Sequence, residues 1–195
     1  FHLKDTDPSA LIDLEVNRLV FVHRHIFTAD KDQLFENALT YITRTHKPEA
    51  IAEAYYELTQ LYKNQGHTYK TKDPSQIHKW KNKEALSTCE MVMRQFPNTR
   101  AALACASLKA EITTQSIEIS VPEFTEPNQH FPASISFKNT KIAFLKAVLV
   151  PADQWMLLKT DYEAYNRFAT KARKQKGAIF ASQKLPDDGD LQTHI

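Results

Sequence analysis

Over roughly the first 114 positions, apolar residues recur three and four apart, the spacing of a helix buried along one side. Leu11, Leu14, Leu19, Val22 and Ile26 trace one such stripe, with Arg18 beside Leu19, after a start signal at Asp7-Pro8-Ser9. Asp30 is placed to cap a second helix that carries Leu34, Ala38 and Ile42, with Phe35 and Leu39 beside them. Pro48 opens a third, whose face is Ile51, Ala54, Tyr55, Leu58, Leu61 and Tyr62 and whose C-cap is Gly66. Residues 67–75 are polar, contain Pro74 and read as a loop. A fourth helix is expected from Gln76 to Phe96, stopped by Pro97-Asn98, and an alanine-rich fifth from Thr99 to Ile112. Short connections make such helices antiparallel neighbours.

Near Thr114 the period falls to two. Ile117, Ile119 and Val121 alternate with polar residues; Pro122 to Asn128 reads as a loop; Phe131, Ala133, Ile135 and Phe137 alternate again. Lys138-Asn139-Thr140-Lys141 reads as a hairpin turn into a more buried strand, Ile142 to Val150. Trp155, Leu158, Tyr162, Tyr165 and Ala169 mark one amphipathic helix over about 153–173, which would cover a sheet too small to bury its own face. A late strand near Ala178 to Ser182 and an exit segment, Leu185 to Ile195, follow. The fold class is therefore α+β: an antiparallel helical hairpin array over 1–114, then a small antiparallel β-sheet domain with one covering helix over 115–195.

Composition narrows the function classes. The 195 residues are 42% hydrophobic and 25% charged, which is the balance of a chain with a packed core. The net charge of +2 with interspersed signs argues against a dedicated nucleic-acid or anionic-membrane surface. No apolar run is long enough to span a bilayer. Three glycines leave no Gly-rich phosphate loop, and neither a Gly-x-Ser-x-Gly elbow nor a His-Glu-x-x-His occurs. The chain begins at Phe1 without a signal-peptide pattern, so its natural start is expected upstream.

Several clusters invite a functional reading. Lys70, Lys72, Lys79, Lys81 and Lys83 surround Tyr69, His78 and Trp80, a mixture that binds single strands by charge and stacking. A solvated loop with Trp80 packed at its base is the stronger reading, because no matching basic surface occurs elsewhere. His23 and His25 point to different sides of a helix, and His2, His46, His67, His78, His130 and His194 are scattered, so no metal set is formed. Cys89 and Cys105 are nearly equidistant from Pro97-Asn98, which makes a disulfide conceivable, but two small buried apolar side chains fit better. Asp187-Asp188-Gly189-Asp190 lacks the alternating spacing of a calcium loop and reads as a turn. Glu53 and Glu57 read as solvent-side charges. No enzyme activity and no cofactor is expected.

Tyr55-x2-Leu58-Thr59-x2-Tyr62-x3-Gly66 and Ala85-x3-Cys89-x2-Val92-x4-Pro97 resemble the two halves of a tetratricopeptide repeat, in which small residues let paired helices approach. Gly66 and Ala85 stand too far apart for a standard repeat, so His67 to Lys83 reads as an insertion of loop plus extra helical turns. A longer resemblance rests on three stretches. Gln95-Phe96-Pro97-Asn98-Thr99 precedes the alanine-rich helix; Ile117-Glu-Ile-Ser-Val is followed by Phe131-Pro-Ala-Ser-Ile-Ser-Phe-Lys-Asn139; and the chain closes with Leu185-Pro-Asp-Asp-Gly-Asp-Leu-Gln-Thr-His194.

From about Leu34 to His194 this order resembles the N-terminal region of the alpha-2-macroglobulin-like proteins of Bacteroidetes, although Leu191 stands where an aromatic residue is expected. The resemblance implies a helical region before the start of a macroglobulin-like β-domain, in an exported, periplasmic or envelope-anchored parent that traps proteases. It implies a non-catalytic scaffold whose partners are other domains of the parent, with a protease or envelope protein as a further partner; from the charge balance and the lack of a spanning run, no nucleic acid and no membrane contact by this stretch itself are expected. No Cys-x-Glu-Gln thioester motif is present. The alternative is a tetratricopeptide-like adaptor binding a peptide, for which Tyr55, Tyr62, Tyr69 and Trp80 are the candidate contact residues.

Overall fold

The computed structural model describes residues 7–46, 49–72, 74–126, 129–174 and 179–195. His2, Pro48, Asn128 and Ala178, named above, lie outside them. The fold is α+β and divides into two compact units, one formed by Phe1–Asn139 with Asp187–Ile195 and the other by Thr140–Pro186. The second unit is thus an excursion from the first.

The first unit opens with α1 (Ser9–His25), α2 (Lys31–Thr45), α3 (Ile51–His67), α4 (Lys81–Gln95) and α5 (Arg100–Thr113). Helix α3 is central and serves two cores. Ala54, Leu58 and Leu61 join Ile12, Val16, Phe35, Leu39 and Ile42. Ala52 joins Ala85, Cys89, Val92, Ala101, Cys105, Leu108 and Ile112. The alanines and cysteines of the second core let α3, α4 and α5 pack closely. Thr99 caps α5, its hydroxyl accepting from Ala102 N at 3.2 Å.

Three expectations for the helices change. In α1, Ile12 and Val16 are buried, while Leu14, Val22 and, just past its end, Ile26 are exposed. Helix α1 carries apolar residues on nearly every side, so periodicity does not select the face that meets α2 and α3. Gly66 is not a left-handed C-cap; it lies buried inside α3, and Thr68 in right-handed conformation ends the helix. Helix α4 begins at Lys81 rather than Gln76, because Gln76 and His78 take positive φ values of 52° and 66° that no helix accommodates. Within the insertion the described residues between Thr68 and Trp80 are turns and irregular backbone, and its only helical residues are His67, which ends α3, and Lys81 to Lys83, which open α4.

The unit ends in a three-stranded antiparallel sheet of order β1-β2-β5, formed by β1 (Ser116–Ser120), β2 (Ser134–Lys138) and, numbered last in chain order, β5 (Thr193–His194). Ile117 stands opposite Phe137 and Ile119 opposite Ile135. The expected hairpin across Lys138–Lys141 does not form, since β2 pairs with β1 and β5 while the next strand belongs to another sheet. Asn139, at φ 53°, instead donates from Nδ2 to Ile112 O at 2.9 Å and Thr114 O at 3.1 Å. It thereby satisfies carbonyls that the end of α5 leaves without helical partners.

In the second unit β3 (Ile142–Ala147) pairs antiparallel with β4 (Ile179–Lys184). The single covering helix is two helices, α6 (Ala152–Thr160) and α7 (Tyr162–Lys174). The break is at Asp161, whose carboxylate accepts from Glu163 N and Ala164 N and so caps α7.

Candidate functional site

The best-built polar constellation lies where the exit segment returns to the helices of the first unit. Asn82, in the first turn of α4, is buried and donates from Nδ2 to Leu191 O at 2.8 Å and to Gln192 Oε1 at 3.0 Å. Gln192 in turn donates from Nε2 to His78 O at 3.3 Å and Lys79 O at 3.1 Å. Gly66 makes room for this, because a Cβ there would lie 2.3 Å from Asn82 Oδ1. Asp188 pairs with Lys79 at 2.6 Å. That ammonium holds the Asp188 carboxyl below the ordinary carboxylate range, and the same bond raises Lys79. The lysine-rich insertion and the exit segment, read separately in the sequence, are two sides of one latch.

Inside the latch, Asp190 is fully buried and its Oδ1 accepts from Gln192 N and from the His194 ring, both at 2.9 Å. His194 stacks on Phe137 with ring centroids 5.3 Å apart, which fixes the imidazole over the sheet. Asp188, Asp190 and His194 bring ligand-type atoms within 4.8 Å of one another. Lys79 and the His194 ring already occupy the two carboxylates, so the cluster has the chemistry of a hydrogen-bonded clasp. Asp190 Oδ2, Asn82 Oδ1 and Gln65 Oε1 are buried without a hydrogen-bond partner, a cost carried by the closely packed latch.

No protein-family model, curated protein or solved structure matches the chain. What these groups do is therefore argued from their own geometry.

The candidate contact residues do not form one surface. Tyr55 and Tyr62 pack against both helical cores, and Tyr55 stacks on Phe96. The Tyr62 hydroxyl donates to Glu36 at 2.9 Å, and burial followed by that carboxylate pushes its phenol above the ordinary range. Tyr69 donates to Gln76 at 3.3 Å. Trp80 is half-exposed, with the Lys79 and Lys83 ammonium groups 5.3 Å and 4.8 Å from its ring. Lys79 is held by Asp188 and Lys81 by Glu84, so two of the insertion's cations are neutralised locally.

Cys89 and Cys105 are fully buried free thiols in the second core. The neighbouring Cys105 thiol, followed by burial, pushes the Cys89 thiol up. Sequence reasoning missed a polar cleft of about 470 Å³ between α1, α2 and α3, where Arg24, Lys31, Tyr56, Glu57 and Gln60 face an apolar floor of Val20 and Phe35. Burial first, and then the charge of Glu53, raise the Glu57 carboxyl there. Glu57 is therefore a cleft residue, not the solvent-side charge expected of it. Among the described residues no helix is long and apolar enough to cross a membrane.

Proposed function

We propose that this chain is a non-catalytic structural arm, the N-terminal scaffold of an exported alpha-2-macroglobulin-like protease trap. One observation carries the reading. The exit segment, the stretch on which the family resemblance most depends, is the element that ties the sheet to the helices through Asn82, Gln192 and the Asp188–Lys79 pair. A scaffold has to fix the direction in which its chain passes to the next domain, and a buried hydrogen-bonded clasp at that point does so. The partners of such an arm are other domains of its parent, in the periplasm or anchored to the envelope. The test is the intact mass and cell fraction of the native gene product. A chain many times longer, in the envelope fraction, supports the scaffold; a soluble product ending near Ile195 overturns it.

The cleft between α1, α2 and α3 favours a second reading, a peptide-binding adaptor. Its contacts are then Arg24, Lys31, Tyr56 and Gln60 rather than Tyr55, Tyr62 and Trp80. Arg24→Glu abolishing capture of a peptide partner, with Trp80→Ala leaving it intact, is the result expected of that reading.

A further inference from the structure

The near-neutral balance of the whole chain hides a division. Thr140–Pro186 carries nine Lys and Arg against three Asp and Glu, a net of +6, so the rest of a chain whose total is +2 carries −4. The basic unit also buries little. Among its described residues, the buried apolar side chains are Ala143, Ala164, Ala172 and Leu185. Larger apolar groups stay outside: Leu149 is 91% exposed, Met156 66%, Leu157 53% and Trp155 48%. A unit with so small a core keeps its apolar side chains in water unless something else covers them.

The two features are laid out on adjacent elements. Helix α6, with the loop before it, presents Leu149, Trp155, Met156 and Leu157. Helix α7 sets Arg167, Lys171 and Lys174 along one side, where with Asn166 and Thr170 they line a shallow hollow of about 510 Å³. Of these cations Arg167 meets Glu163 at 3.3 Å, a pair exposed on both sides. The Lys159 ammonium lies 5.0 Å from the Trp155 ring. Lys146 is engaged inside the unit, donating to Ala172 O and Arg173 O at the end of α7.

We infer that the unit Thr140–Pro186 docks on an anionic lipid surface, with Leu149, Trp155, Met156 and Leu157 entering the headgroup layer and the cations of α7 facing lipid phosphates. Cations beside aromatic rings also suit a nucleic acid, and the aliphatic residues decide between the two. Leu149, Met156 and Leu157 offer a base no stacking face, whereas an acyl boundary removes them from water. Indole and phenol rings flanked by lysine are the side chains that settle at a membrane interface. A nine-residue helix such as α6 is too short to span a bilayer, so its contact is with the surface. The expectation of no membrane contact rested on the whole-chain charge, which averages two oppositely charged units, and on the absence of a spanning run, which holds among the described residues and does not bear on surface docking. The inference stands apart from the scaffold reading, since lipid binding and the length of the native product are independent measurements.

The test uses the whole chain with Trp80→Phe, which leaves Trp155 as the only indole, and vesicles of phosphatidylcholine alone or with about one third phosphatidylglycerol. Co-sedimentation and a blue shift of Trp155 emission are expected with the anionic vesicles only, and both should fade as salt rises. Replacing Arg167, Lys171 and Lys174 together by Glu should weaken partitioning at least about tenfold. Circular dichroism checks that this variant folds, and the salt series on the unreversed chain stands without it. Absence of binding, equal binding to neutral vesicles, or partitioning untouched by the triple reversal overturns the inference. A single-stranded oligonucleotide that binds when vesicles do not would overturn it in favour of nucleic acid.

Discussion

Gly66→Ala is the sharpest probe of the latch, because two general effects oppose each other there. In an ordinary helix interior, Gly→Ala stabilises by about 1 kcal/mol through backbone entropy. In α3 the added Cβ would lie 2.3 Å from Asn82 Oδ1 and 2.9 Å from its Cγ. Asn82 has no free direction in which to move, since its Nδ2 holds Leu191 O and Gln192 Oε1. Displacing it breaks two hydrogen bonds at about 1 kcal/mol each and adds an overpacking cost of about 1–3 kcal/mol. Set against the propensity gain, the net loss is about 2–4 kcal/mol. Urea denaturation followed by circular dichroism should show the midpoint falling. In an Asn82→Ala background the obstacle is gone, and the same substitution should stabilise by up to about 1 kcal/mol. A rise in midpoint in the native background, or an equal loss in both backgrounds, would refute the account of Gly66 as a contact made for Asn82.

The Asp188–Lys79 pair sets an acid limit on the latch. The folded carboxyl lies below its unfolded value, so its contribution is complete above the ordinary carboxylate range near about pH 4 and is lost as pH falls through the folded value. Thermal melts against pH should show an acid loss that Asp188→Asn lacks. Cys89 and Cys105 should resist iodoacetamide at neutral pH and label only on unfolding, because both are fully buried in the second core and closed to the reagent; mass spectrometry with and without denaturant reads this, and rapid labelling of the native chain would contradict it. Asn139→Ala removes two hydrogen bonds to the end of α5 and strains a positive φ, at a cost of about 2 kcal/mol by thermal melting, while Asn139→Gly should cost less because glycine tolerates that conformation.

Helices α2, α4 and α5 were legible because each carries a one-sided stripe, such as Phe35, Leu39 and Ile42 in α2 or Ala85, Cys89 and Val92 in α4, and α3 because its helix-spaced apolar residues feed two cores. The face of α1 was not, since its apolar residues encircle the helix and only its neighbours decide which are covered. Gly66 followed the local pattern of a cap, yet its role is set by Asn82, a residue of another helix. The composition of Lys138–Lys141 read as a hairpin turn, but its Asn serves the carbonyls of α5, which no hairpin rule contains. The latch left no periodic signal at all. Asn82 and Gln192 are separated by 110 positions, and single polar residues in a sequence carry no mark of the partner that buries them. The charge division was open to a count by segment, and was lost because the balance was taken over the whole chain.

The placement of the second unit explains why its composition diverges so far from the first. It leaves after Asn139, which is tied to the end of α5, and rejoins before Asp188, which is tied to Lys79. Once both ends are anchored, the entropy of closing the intervening chain depends only weakly on its length; lengthening a loop from ten to about fifty residues costs about 1.4 kcal/mol. Among the described residues, the buried clusters of the helices and the hydrogen bonds of the latch are made by residues of the first unit. Its residues are therefore released from the demands of the first unit's core. A segment so released that nevertheless keeps a net charge of +6 beside an exposed Leu149, Trp155, Met156 and Leu157 is shaped by what it meets rather than by what it supports.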